Sequence, residues 1–238
     1  MSIWQTCNGH QHIKKVVSEV HRACSNQSRL SMSLSDNLDD HNLLEGMVAK
    51  SRAISVTGHY LLRSPLPCDS RFGSKFDQPI IYTSESLDGF FTELAYHRFL
   101  FSASYASGGD RAVTTGYTSF SIRVVSEQSV DLTQGPFAAF SQDISSPDTY
   151  QRSTELGSNM RENGVSMFIF NSSRGDGRNI GFFDSTPFLT KPDKIRNWMC
   201  HHEGEAIVFY SQDAEDTFSF CLSDFLVDGV LPLKRNAR

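Results

Sequence analysis

Arg71, Tyr82 and Glu93 are residues whose types could do chemistry, and eleven positions separate each from the next. A guanidinium offers a planar fork for a phosphate, a phenol offers a ring and a hydroxyl, and a carboxylate can steady a growing positive charge. Tyr82 closes a short apolar run, and a turn through Thr83–Glu85 leads into a helix carrying Glu93, so both side chains approach one strand–helix junction. With Leu87 set at zero on a helical wheel, Glu93 falls at about 240° and His97 at about 280°. Glu93 therefore flanks the apolar stripe of Leu87, Phe90, Phe91, Leu94 and Ala95, where it is half-buried or lines a cleft. Taken alone, a Glu with a His one turn on is more often a solvated helix flank than a catalytic group.

Asn171-Ser172-Ser173-Arg174-Gly175-Asp176-Gly177 forms a second polar cluster, a turn between two strands rich in aromatic residues. Its hydroxyls and backbone N–H groups could hold a phosphate or a ribose. A plain hairpin loop suits the same composition, and the glycines do not open a helix as a dinucleotide fingerprint requires. Cys200, His201 and His202 would alternate between the faces of a strand with no second ligand pair at standard spacing, so no metal is expected. Nucleophilic serine chemistry lacks a Gly-x-Ser-x-Gly elbow.

The elements that must position these residues are read from periodicity. Ile13, Val16, Val17 and Val20 suggest an amphipathic helix from about 12 to 23, and a second helix from Asp36–Asp40 through Val48, so residues 1–55 are expected to form a helical N-terminal extension. Residues 56–238 then form the main domain. Strands are expected at Gln78–Thr83, Tyr117–Val125, Val165–Asn171, Asn179–Asp184, Ala206–Ser211 and Thr217–Leu222. Between them lie a helix from Ser86 to Phe101 and another that opens at Ser146-Pro147 and stops at Asn163-Gly164. This mixture points to an α+β fold rather than repeated βαβ units.

The chain has 238 residues, 39% hydrophobic and 21% charged, enough to bury roughly 70% of its unfolded surface without disulfide or metal support. A net charge of −5 argues against direct nucleic-acid binding. Polar residues from Met1 to Lys15 leave no apolar core for a secretory signal, and no apolar run is long enough to span a membrane. The five scattered cysteines fit reduced thiols, so a cytoplasmic protein is expected. The 18 Phe stand out against 7 Tyr and 2 Trp.

Taken together, these segments resemble the RES domain family, named for an Arg, a Glu and a Ser. The matching stretches are Ser70-Arg71-Phe72-Gly73, Ile80-Ile81-Tyr82-Thr83-Ser84, Thr92-Glu93-Leu94-Ala95-Tyr96-His97-Arg98 and Phe170-Asn171-Ser172-Ser173-Arg174. The last resembles the family's aromatic-Pro-Ser-x-Arg motif, with Asn171 in place of the proline and Ser172 as the family serine. Leu34-Ser35-Asp36 and Leu43-Leu44-Glu45 look like the leader of the longer subfamily, and Phe120–Leu132 resembles its middle strands. The Arg-Tyr-Pro-Pro usual before the first motif is shortened to Leu66-Pro67-Cys68-Asp69, and Arg63 is out of register to replace it.

The resemblance implies an ADP-ribosyltransferase-like split β-sheet core with flanking helices, binding NAD as substrate. It implies a toxin that cleaves the nicotinamide–ribose bond, with water or inorganic phosphate as acceptor, and so depletes cellular NAD. A transferase modifying a protein or nucleotide target is the alternative, followed by a catalytically silent interaction domain or a secreted antibacterial effector. Glu93, Arg71, Tyr82 and Ser172 are the implied site residues. Arg71 would clamp the pyrophosphate, Tyr82 would stack on nicotinamide and reach its ribose, Ser172 would hold the ribose or amide, and Glu93 would face the growing charge. The implied partners are a helix-turn-helix antitoxin and a second copy of the chain.

Overall fold

The computed structural model describes residues 1–25, 70–104 except 75 and 79, and 112–232 except 189. The expected helix near 36–48, Arg63, Cys68 and the division of the chain at residue 55 all lie outside the described residues. What is described is a mixed α+β arrangement around one eight-stranded sheet. Its strands are β1 (Lys14–Ser25), β2 (Ile81–Ser84), β3 (Val113–Asp131), β4 (Met167–Asn171), β5 (Arg178–Phe182), β6 (Asp193–Glu203), β7 (Ala206–Ser211) and β8 (Thr217–Cys221). The helices are α1 (Ile3–Thr6), α2 (Leu87–Ser104), α3 (Ser141–Ile144) and α4 (Gln151–Glu162).

The long strand β3 organises the sheet. Antiparallel β1 lies beside it from Tyr117 to Ser129, antiparallel β6 pairs from Val113 to Ser121, and parallel β4 pairs from Ser129 to Asp131. Because β1 also touches β2 at His21–Ser84, the pairings β1–β2–β5–β4–β3–β1 close into a ring, and β6–β7–β8 extend from it as a wing. Alternation along the strands fills the ring with Val20, Ile81, Ile122, Val124, Met167, Ile169, Ile180 and Phe182. The opposite face of β2–β5–β4 carries two cross-strand rows, Ser84–Asn179–Phe170 and Tyr82–Gly181–Phe168. A Cβ at Gly181 would lie 2.2 Å from the Phe168 ring, so this ring needs a glycine beneath it.

Residues 14–25, expected as helix, are strand β1. The apolar positions fit a helical stripe, but β-branched valines favour a pleated strand, and the ladder to β3 satisfies the backbone along nearly the whole segment. Residues 14–25 are thus built into the sheet. Strand β6 was not among the expected strands, and its burial pattern shows why: the alternation is clear only around Trp198 and Cys200. The helix expected from Ser146 begins at Gln151, because the Ser146 hydroxyl accepts from the Asp148 and Thr149 amides and caps a separate turn. Its end is as expected: Gly164 takes the left-handed conformation that glycine favours (φ 72°).

Helix α2 starts at Ser86, whose hydroxyl accepts from the Gly89 amide. Phe91, Ala95, Tyr96 and Phe99 bury one face of it against the wing, where Phe91 packs on Phe209 (4.6 Å between ring centroids) and Trp198 (4.9 Å). The Arg178 guanidinium forks onto Glu85 at 2.8 and 2.9 Å, tying the β2–α2 turn to β5. These contacts fix the helix and leave the Glu93 flank facing the outer face of β5.

Candidate active site

Glu93 is half-buried, and one of its oxygens gathers two donors. Oε1 accepts from the Ser172 hydroxyl and from Asn179 Nδ2, each at 2.8 Å. Ser172 Oγ in turn accepts from the Arg174 amide at 3.1 Å, and its own amide donates to the Gly177 carbonyl, so the loop after β4 is folded around the serine. Two donors on one oxygen fix the orientation of the carboxylate. The second oxygen, Oε2, has no protein partner among the described residues. His97, one turn along α2, is exposed.

Arg71 lies on the Ser70–Gly73 turn and is 8% exposed. Its Nη1 donates to the Ile144 carbonyl at 3.3 Å and the Ser146 carbonyl at 2.8 Å, its Nη2 donates to Ser173 Oγ, and its guanidinium lies 4.7 Å from the centre of the Tyr150 ring. Burial pulls its pKa down from the ordinary arginine value, while Tyr150 and Glu93 oppose that shift. Arginine stays protonated across the working range of proteins, so a buried cation stands one residue from the serine that holds Glu93.

Tyr82, half-buried on the outer face of β2, uses its hydroxyl on the same turn. It accepts from the Phe72 amide and donates to Ser70 Oγ, both at 3.2 Å. Burial pushes its pKa up to about 12, so the phenol is neutral. Phe72 packs edge-on against Phe168 and Phe170 at 4.6 and 4.9 Å, which joins the Arg71 turn to β4. Helix α4 closes the turn from the other side. A Cβ at Gly157 would sit 1.9 Å from the Phe72 carbonyl oxygen, so glycine permits the approach.

A second cation joins the group. The Arg174 guanidinium stacks 3.7 Å from the centre of the Tyr96 ring and donates to the Pro147 carbonyl at 3.2 Å. Asn171, at the family's proline position, donates through Nδ2 to Ser141 Oγ, while its carbonyl accepts from the Ser145 hydroxyl at 2.7 Å. A polar side chain here ties β4 to the segment that also receives Arg71.

Ser172 thus holds Glu93 while its neighbour Ser173 receives Arg71, so one loop joins the two side chains, and Tyr82 holds the turn that presents Arg71. The sequence gives no role to Tyr150 or Asn179, and the Ser173 hydroxyl, expected with its loop as a phosphate or ribose ligand, receives Arg71 instead. The strand alternation that aims Ile180 and Phe182 into the ring is the one signal that could have turned Asn179 towards Glu93. Among the described residues, no group of His, Cys, Asp and Glu could hold a metal ion. Cys200 points into the core, whereas His201 meets Thr114 and Glu203 at the surface.

A buried guanidinium, a carboxylate held through one oxygen, and a serine loop between them define a polar site built on the outer face of a mixed α+β sheet. The model of the RES domain matches residues 48–203, and the chain belongs to that family. The structure is similar to a chain in the crystal structure of the M. tuberculosis MbcT–MbcA toxin–antitoxin complex, with a TM-score of 0.49 and 13% identity over 81% of this chain and 90% of that one. A search of the curated proteins finds no match.

Proposed function

We propose that the chain is a toxin enzyme that breaks the nicotinamide–ribose bond of NAD. The observation that carries this reading is the Glu93 carboxylate, held through Oε1 by Ser172 and Asn179 while Oε2 has no partner among the described residues, beside the buried Arg71. As the bond between the anomeric carbon and the ring nitrogen lengthens, its electron pair goes to nicotinamide, which leaves neutral, and positive charge grows on the ribose. A fixed carboxylate stabilises that charge and accepts a ribose hydroxyl hydrogen bond that strengthens as the charge develops. Arg71 and Arg174 supply positive charge for the pyrophosphate. The Tyr82 hydroxyl is spent on the Arg71 turn, which leaves its ring as the part that meets nicotinamide.

The acceptor for the ADP-ribosyl group is water or inorganic phosphate in this reading, and a protein or nucleotide group in the alternative. A single mixed sheet with its polar residues on one outer face supports the ADP-ribosyltransferase-like arrangement that the resemblance implies. Membership of the family also supports a helix-turn-helix antitoxin as a partner, a second copy of the chain and a cytoplasmic site of action. Incubation of the purified protein with NAD, with and without phosphate, followed by mass analysis tests the reading. Free ADP-ribose or its phosphate ester, with nicotinamide, is the expected product, and intact NAD under every condition would refute it.

A further inference from the structure

We infer that Asn179 is a positioning residue for Glu93: its amide holds Oε1, selects one rotamer of the carboxylate and leaves Oε2 as the oxygen that meets the substrate. The inference rests on the reading of Glu93 as the group that faces the reacting ribose. Asn179 is 4% exposed and lies on β5, paired across the sheet with Ser84 and Phe170. Its Nδ2 donates to Glu93 at 2.8 Å, and its Oδ1 is buried with no hydrogen-bond partner among the described residues. The orientation of the amide follows from chemistry, because the flipped form would press a carbonyl oxygen against a carboxylate oxygen.

An orphaned buried acceptor is a cost to folding, since it lost its water and gained nothing. A residue kept only for packing would avoid that cost with an apolar side chain, as Ile180 and Phe182 do on the other face of the strand. The donor is the part of Asn179 that the structure uses, and what it does is fix a carboxylate. Ser172 alone cannot do this, because a hydroxyl on a loop rotates, whereas Asn179 stands on a strand paired on both sides. Two donors on one oxygen lock the carboxylate plane and keep the other oxygen clear.

The test compares Asn179→Ala and Asn179→Asp with the wild type by NAD turnover and thermal melting. Positioning predicts that Asn179→Ala lowers kcat by about tenfold or more with KM changed less than about threefold, and with no fall in Tm. Asn179→Asp keeps the shape but replaces the donor with an acceptor, so it loses at least as much activity as the alanine variant. Near-wild-type kcat in either variant, or a loss that simply follows a lower Tm in Asn179→Ala, overturns the inference. If the wild type itself leaves NAD intact, the functional reading fails on its own. The contact is then decided by the Asn179 side-chain amide in a protein labelled with ¹⁵N-asparagine. A downfield, slowly exchanging proton that is lost in Glu93→Ala supports the hold, and an amide indifferent to Glu93 overturns it.

Discussion

At the residue scale, the two oxygens of Glu93 differ: Oε1 is held by Ser172 and Asn179, and Oε2 has no partner among the described residues. Glu93→Gln keeps the shape and removes the charge, so NAD turnover should fall by roughly a hundredfold or more, measured as nicotinamide release. Arg71 is both a phosphate ligand in the proposal and a structural joint, because it donates to the Ile144 and Ser146 carbonyls and to Ser173. Arg71→Lys keeps the charge and loses the fork. It should raise the KM for NAD by about tenfold and lower Tm, because abandoned buried carbonyls cost about 1–3 kcal/mol each; unchanged KM would remove Arg71 from the phosphate site. The Arg, Glu and Ser were legible in the sequence because their neighbours form recognisable motifs. Asn179 was not, because one polar residue in a strand has no spacing signature until the helix opposite it is docked.

At the element scale, the site depends on two docking events. Helix α2 is anchored by Phe91, fully buried between Phe209, Trp198 and Phe218, while Glu93 projects from the other flank. Phe91→Ala should cost about 3–5 kcal/mol in urea denaturation and take activity with it, since the same helix carries the carboxylate. Helix α4 meets the Arg71 turn through Gly157. Gly157→Ala should destabilise by about 1–3 kcal/mol and weaken NAD binding more than an exposed Ala substitution on the same helix, as calorimetry would show. The apolar period marked α2 and the aromatic-rich strands well. It failed at β1, where valines spaced at three and four residues also satisfy a strand, and only the long-range ladder to β3 decides between the two.

At the scale of the whole molecule, the ring of five strands makes residues 14–25 a structural part of the sheet. Deletion of residues 1–25 should expose the edges of β2 and β3 and yield insoluble or unfolded protein by circular dichroism; a folded, soluble product would contradict the closed ring. Thiol chemistry reports on the same fold. Burial pushes the Cys200 thiol up to about 11 and also raises Cys7, whereas Cys221 is exposed. Maleimide at neutral pH should therefore label Cys221 and spare Cys7 and Cys200 until denaturant is added, as peptide mass mapping would show. The phenylalanines that stood out in the composition divide between the two sides of the site: Phe72, Phe168 and Phe170 stand behind Arg71 and Tyr82, and Phe91 and Phe209 stand behind Glu93. Their number was visible in the sequence, but their grouping on opposite sides of a polar network depends on which strands pair.

The central claim is that this network cleaves NAD through Glu93. Its most direct measurement is the mass of the products formed when purified wild-type and Glu93→Gln proteins are incubated with NAD, with and without phosphate. The account predicts nicotinamide together with ADP-ribose or its phosphate ester from the wild type, and their near absence from the variant. Intact NAD with the wild type, or equal product from both proteins, would contradict it.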